Sequence, residues 1–110
     1  MANTAATRPT RKTSVREIRP HADQAAALLK ALANEQRLLI LCHLQDGPLS
    51  VGELNDRVDL SQSALSQHLG VLRESEIVST TREAQTIRYE VRSELVRKII
   101  GLLYKEFCAS

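Results

Sequence analysis

The residues able to do chemistry in this chain fall into two groups. One is a pair of cysteines, Cys42 and Cys108, 66 positions apart (108 − 42). The other is a cluster of short polar side chains in "LSQSALSQHLGVLRESEIV", residues 60–78. A thiolate can attack a sulfur electrophile or ligate a soft metal, and two thiols brought together can cycle between dithiol and disulfide. Ser, Gln and Arg side chains can hydrogen-bond base edges and phosphates. His21, His43 and His68 stand on separate elements without ligand spacing, so no metal site is expected. There is no Cys-x-x-Cys motif and no phosphate loop, and Ser66 and His68, two apart on a helix, point to different sides. Neither an enzyme nor a cofactor is expected.

The polar cluster has helical order. At about 100° per residue, Leu65, Leu69 and Leu72 share one narrow arc, the stripe of a core-facing helix. Gln62, Ser63, Ser66, Gln67, Gly70 and Arg73 fall on the far side. A solvated helix face is usually rich in Glu, Lys and Arg, whereas Ser and Gln are middling helix formers at best. A compact polar face with little charge suits the major groove of B-DNA, and Gly70 removes bulk there. The plainer alternative is a solvated helix on a small interaction domain. His68 flanks the apolar arc, where packing and DNA contact are both open to it.

Periodicity and capping identify the elements that must position these groups. A chain of 110 residues with one Phe, two Tyr and no Trp makes one domain around a modest aliphatic core. "HADQAAALLKALA" predicts a first helix from about His21 to Ala33, with Ala22, Ala25, Ala26, Leu29 and Ala33 on a small-residue face suited to close packing. Asn34 caps a second helix, "EQRLLILCHLQD", whose apolar run places it at the centre of the core, buried on most sides. Gly47 and Pro48 end it. Ser50 and Glu53 form a capping box for a short third helix, and Ser61 caps the fourth; Leu49 with Leu54, and Leu60 with Leu65, are placed as hydrophobic staples. Two capped helices this close read as a helix-turn-helix.

Beyond the fourth helix the period changes to two. Ile87, Tyr89 and Val91 alternate with Thr86, Arg88 and Glu90, which predicts a hairpin with its tip at Glu83-Ala84-Gln85, a tip without the usual glycine. Ser93 then caps a terminal helix from about Glu94 to Cys108. Val96, Ile100, Leu103 and Phe107 stripe it, and Leu95, Ile99 and Leu102 widen the stripe beyond what one small core needs. The excess predicts a homodimer formed through the first and last helices. The expected fold class is mainly α with a small β-hairpin: a winged helix-turn-helix. The wing adds Arg82, Gln85 and Arg88, with Thr81 and Thr86, for phosphate or minor-groove contact. The expected DNA-binding set is therefore Gln62, Ser63, Ser66, Gln67, His68, Arg73, Arg82, Gln85 and Arg88.

Net charge is only +2, but it is unevenly spread. Residues 1–19 hold Arg8, Arg11, Lys12, Arg16 and Arg19 against Glu17, a net +4, which leaves −2 for residues 20–110. Residues 1–19 are read as a disordered basic tail and 20–110 as the winged-helix and dimerisation domain. The tail is either a solvated leader or a basic arm that adds backbone contacts. No stretch suits a membrane span or a signal peptide, so a cytoplasmic protein with no membrane partner is expected.

The segments "LKALANEQRLLILCHL" and "LSVGELNDRVDLSQSALSQHLGVLRESEIV", with the hairpin after them, resemble the ArsR–SmtB winged-helix repressors over roughly residues 22–108. That resemblance implies a homodimer that binds an inverted repeat in a promoter and releases it when an inducer arrives. There are two departures. Glu76 stands where the family usually has glycine before the first wing strand, which predicts a differently shaped turn. The tip "REAQT" lacks a common glycine. Many relatives sense metals through two thiols at the start of the third helix, where this chain has Ser50 and Gly52. Others use Asp, His and Glu on the terminal helix, which here carries Ser93, Glu94, Lys105 and Cys108 but no His.

For the two cysteines, residue chemistry leaves a choice between inert packing thiols and a coupled pair. The pair resembles the cysteines of the biofilm growth-associated, BigR/SqrR-type branch, which responds to persulfides. This implies a Cys42/Cys108 switch, with reactive sulfur species or an oxidant as inducer. Cys108 is expected to be the more exposed thiol and Cys42 its partner within the core. A metal-responsive repressor with an unrecognised site is the second reading. A dimeric protein-interaction module without DNA binding is the third.

Overall fold

The computed structural model describes residues 14–108. Ser14 caps α1 (Val15–Ile18), its hydroxyl accepting from the Arg16 N–H at 3.0 Å, and a 3₁₀ turn over Arg19–His21 leads into α2 (Ala22–Leu32). Pro20 suits that entry because its φ is already helical and its missing N–H is not needed there. Ser14–Arg19 thus make local helical bonds within the segment read as a basic tail. Arg8, Arg11 and Lys12 lie outside the described residues. Helix α2 turns Ala31 and Leu32 to the core, with Leu28 half-buried beside them. Ala22, Ala26, Leu29 and Ala33 of the small-residue face remain exposed.

Asn34 accepts from the Arg37 N–H at 3.0 Å and opens α3 (Glu35–Leu44). Ile40, Leu41 and Leu44 are fully buried, whereas Leu39 is 45% exposed and Cys42 is exposed too. Burial on most sides, expected from the composition of this helix, fails on that flank. Among the described residues, no element covers it completely.

A two-residue strand, β1 (Leu49–Ser50), runs into α4 (Val51–Arg57), followed by α5 (Gln62–Glu74). The wing is β2 (Val78–Glu83) and β3 (Thr86–Val91), and α6 (Glu94–Phe107) closes the fold. The sheet is antiparallel in the order β1-β3-β2, with Leu49 opposite Tyr89 and Val78 opposite Val91. The fold is a winged helix-turn-helix, mostly helical with a small sheet. The caps sit where expected: Ser50 and Glu53 make both bonds of the capping box, Ser61 accepts from Ala64, and Ser93 accepts from Val96. The core is aliphatic, with Leu54, Leu65, Leu69, Leu72, Ile77 and Val96 essentially inaccessible. At roughly 1.5–3 kcal/mol per fully buried aliphatic side chain, such residues carry the core, with Tyr89 packed at its edge.

Two turns use non-glycine residues in the left-handed region. Glu83 pairs with Thr86, so the tip is Ala84-Gln85 alone, and Ala84 takes φ 57°. A positive φ at the first central position lets a two-residue turn follow the strand twist. Glu76 has φ 60° after α5. Its N–H donates to Arg73 O at 3.0 Å, and the Ile77 N–H donates to Leu72 O at 2.9 Å. This is the Schellman pattern, with buried Leu72 and Ile77 at the apolar positions that accompany it. Glu76 therefore adopts the geometry that glycine favours, and the expected change of turn shape is not seen. The Ile77 carbonyl then accepts from the Arg92 and Ser93 N–H groups at 2.8 and 3.4 Å, tying the end of α5 to the start of α6.

Candidate functional site

The face of α5 is built by its opposite side. Leu65, Leu69 and Leu72 pin the helix to the core, and Asn55 Nδ2 donates to Leu60 O at 2.9 Å across the turn before it. Gln62, Ser63, Ser66, Gln67, Gly70 and Arg73 are all exposed together. A Cβ at Gly70 would meet nothing within 4 Å, so packing within the chain does not require glycine there. A glycine inside a helix costs about 1 kcal/mol relative to alanine, and its return is bare backbone on the outward face.

His68 is half-buried beside this face, and Arg37 Nη1 lies 3.3 Å from its Nδ1. A guanidinium has only donors, so Nδ1 is the acceptor and the ring proton sits on Nε2. Arg37 Nε also donates to Ala31 O at 2.6 Å, and Nη2 to Lys30 O at 3.5 Å. Arg37 thereby caps the end of α2 and links it to the recognition helix. Its partner lies 31 positions away, and no local pattern in the sequence announces it.

On the wing, Arg82 and Gln85 are exposed, and Arg82 Nε donates to Ala84 O at 3.4 Å. Arg88 is placed differently. Its Nη1 and Nε lie 2.9 Å from Glu53 Oε1 and Glu83 Oε1 respectively. The Ser50 backbone N–H, aided by Arg88, holds the Glu53 carboxyl below the usual carboxylate range. Glu83 first, then Glu53, pushes the Arg88 guanidinium up.

The two cysteines, both free thiols, border one groove between α3 and α6. Leu38, Cys42, Ile100, Leu103, Tyr104, Phe107 and Cys108 line an apolar hollow of about 250 Å³. Cys42 also borders a second hollow of about 360 Å³ with Gln45, Asp46, Gly101 and Tyr104. Both thiols are free and exposed, so the expected core location of Cys42 is corrected: it sits on the uncovered flank of α3. Partial burial, and secondarily the charge of a nearby Cys108 thiolate, push the Cys42 thiol up. Phe107 belongs to the stripe that the sequence assigns to a dimer surface, and Tyr104 lies outside that stripe; both line this hollow. Among the described residues, no group of three or more His, Cys, Asp or Glu side chains could hold a metal ion. No helix among them is long and apolar enough to cross a membrane.

Comparison with known proteins agrees with this geometry. Residues 34–80 match the model of the bacterial regulatory protein, arsR family. The chain is 50% identical over 95 residues to the transcriptional activator HlyU of Vibrio cholerae, covering 86% of this chain and 88% of that one. It is 48% identical over 88 residues to the biofilm growth-associated repressor of Agrobacterium fabrum, covering 80% and 75%. The crystal structure of the transcriptional repressor BigR from Xylella fastidiosa superposes with a TM-score of 0.79 at 39% identity, covering 89% of this chain and all (100%) of that one. With a helix-turn-helix that presents a short-chained polar face, a wing beside it and relatives of this kind over most of its length, the chain belongs to the ArsR family of bacterial transcriptional regulators.

Proposed function

We propose that the protein is a homodimeric, DNA-binding transcriptional repressor whose grip on its operator is released by oxidation or persulfidation of Cys42 and Cys108. The observation that carries the DNA-binding half is the outward face of α5, where six positions without a long acidic side chain are exposed together. Gln62, Ser63, Ser66, Gln67 and Arg73 address the major groove, and Arg82 and Gln85 reach the backbone from the wing. His68 supports α5 from its flank. Dimerisation is supported by apolar surface left open on one chain: Leu29 on α2, and Leu102 and Tyr104 on α6, are each more than half exposed. Pairing through these helices would set two recognition helices about 34–36 Å apart, one turn of DNA.

The sensing half rests on the shared groove. A persulfide donor RSSH transfers its outer sulfur to one cysteine thiolate, giving Cys–SSH and RSH. The other thiolate then attacks the carbon-bound sulfur, closes a Cys42–Cys108 disulfide and expels HS⁻. Two electrons from the cysteines thus reduce the transferred sulfur to sulfide. Burial keeps Cys42 protonated more readily than an ordinary thiol, which suits Cys108 to first attack and Cys42 to closure. Closing the bridge draws two sulfurs to about 2.05 Å, and the signal would pass to DNA through movement of α6 against α3.

The test is binding to a duplex spanning the promoter of the protein's own gene, with reduced and persulfide-treated protein, and intact mass measured on the same samples. Binding only when reduced, with loss of the mass of two hydrogen atoms on release, supports the reading. Failure of the reduced protein to bind leaves the interaction-module reading. Release by a metal with no change in protein mass leaves the metal-responsive one.

A further inference from the structure

We infer that Arg88 is a positioning residue of the wing, strapping the hairpin to the start of α4 through Glu53, and does not contact phosphate; the inference rests on the DNA-binding reading proposed above. Arg88 lies in the middle strand of the sheet, opposite Ser50 of β1 and Thr81 of β2. Glu53 Oε1, 2.9 Å from its Nη1, is the same oxygen that accepts the Ser50 N–H at 2.9 Å. The other arm ends on Glu83, the last residue of β2, also at 2.9 Å. One guanidinium therefore joins the capping box of α4 to the base of the wing tip.

Moving that guanidinium to a phosphate would exchange two carboxylate partners for one anion. The charge of the wing makes the same point. Val78–Val91 carries Arg82 and Arg88 against Glu83 and Glu90, so the wing has no net charge with which to draw a duplex. Its use depends on where it is held, which presents Arg82 and the Ala84-Gln85 tip. Exposed ion pairs add little to stability, so the strap governs orientation more than folding.

The experiment measures affinity against salt for the full chain on a duplex spanning its own promoter. The variants are Arg82→Ala, Arg88→Gln, Glu53→Gln and the Arg88→Gln/Glu53→Gln pair. Glutamine at position 53 keeps the capping box while removing the charge. Loss of a phosphate contact at Arg82 should flatten the slope of log K against log salt by about 0.9. Arg88→Gln should weaken binding several-fold with the slope and melting temperature unchanged. Glu53→Gln should do the same, and the pair should be no weaker than either single variant. A slope lowered by Arg88→Gln as by Arg82→Ala, unaltered or tighter binding by Glu53→Gln, or additive losses would each overturn the strap. A parent protein with no salt-dependent affinity for any duplex overturns the DNA-binding reading itself, and the strap with it.

Discussion

The recognition helix and the thiol groove both set an apolar stripe beside a few polar atoms, but they leave opposite sides open. In α5 the stripe is fully covered by its own chain, and the polar side chains face outward. Along α3 and α6 part of the apolar surface is itself uncovered, with Leu39 45% and Phe107 80% exposed around the two thiols. The first surface is complete in one chain and awaits a polar partner. The second is half an interface, and its chemistry depends on what covers it. A polar face can thus be complete in one chain, while an apolar groove left open along two helices acquires its full environment only on assembly.

The largest effect should come from breaking the covered stripe. Leu72→Ala leaves a cavity under α5 and should cost about 2–5 kcal/mol in urea unfolding. The exposed side of the comparison predicts the contrary for Leu102→Ala, 65% exposed on α6: near-parental monomer stability, with weaker self-association in sedimentation. If Leu102→Ala unfolds the chain as Leu72→Ala does, the two surfaces do not differ in the way described.

Next in size is the switch. Cys42→Ser and Cys108→Ser should each bind the promoter duplex like the reduced parent and lose its release by persulfide. For a hundredfold release that is about 2.7 kcal/mol of differential affinity. Variants that still release DNA would make both cysteines packing residues. A smaller effect, about 1–3 kcal/mol and specific to one base position, is expected for Gln67→Ala if it makes a paired base contact. Competition with mutated duplexes reads it, and uniform loss across all sequences would count against base reading. The smallest expected change is a gain. Glu76→Gly removes a left-handed non-glycine residue and should raise stability by about 1 kcal/mol, seen as a higher melting temperature. Loss of the exposed Glu76–Arg92 pair, at 3.6 Å, should subtract little.

How much of this was legible in the sequence depends on how local the cause is. Asn34, Ser50, Ser61 and Ser93 cap helices through bonds spanning three residues, and each was readable. The same holds for the Leu65-Leu69-Leu72 stripe and for the alternation of β3. Strand β1 was not, since two residues cannot display a period and its pairing comes from Tyr89 and Arg88. The α1 turn was hidden by a Pro- and Arg-rich composition that weighs against order, although Ser14 caps it. The apolar neighbours of Cys42 in sequence point to a core position that its exposure contradicts. Periodicity shows that a helix is apolar on several sides; it does not show which of those sides its own chain covers. Glu53 lies 35 positions from Arg88, and Arg37 lies 31 from His68, beyond any spacing rule.

Ile77 gives the molecule a fulcrum. Its two peptide groups close the last turn of α5 on one side and hold Arg92 and Ser93, at the root of α6, on the other. These hydrogen bonds couple the end of α5 to the root of α6 through a single residue. From that root to Phe107, α6 has 14 residues, a lever arm of about 21 Å at 1.5 Å per residue. A displacement of about 1 Å at the Cys108 end then corresponds to roughly 3° of rotation at the root over such an arm. The far end trades travel for torque: under the switch proposed above, a bond between the two sulfur atoms would turn a helix that neither sulfur touches. Lengthening the arm's root by one glycine after Arg92 should let α6 swing freely, leaving disulfide formation intact and its effect on DNA binding lost.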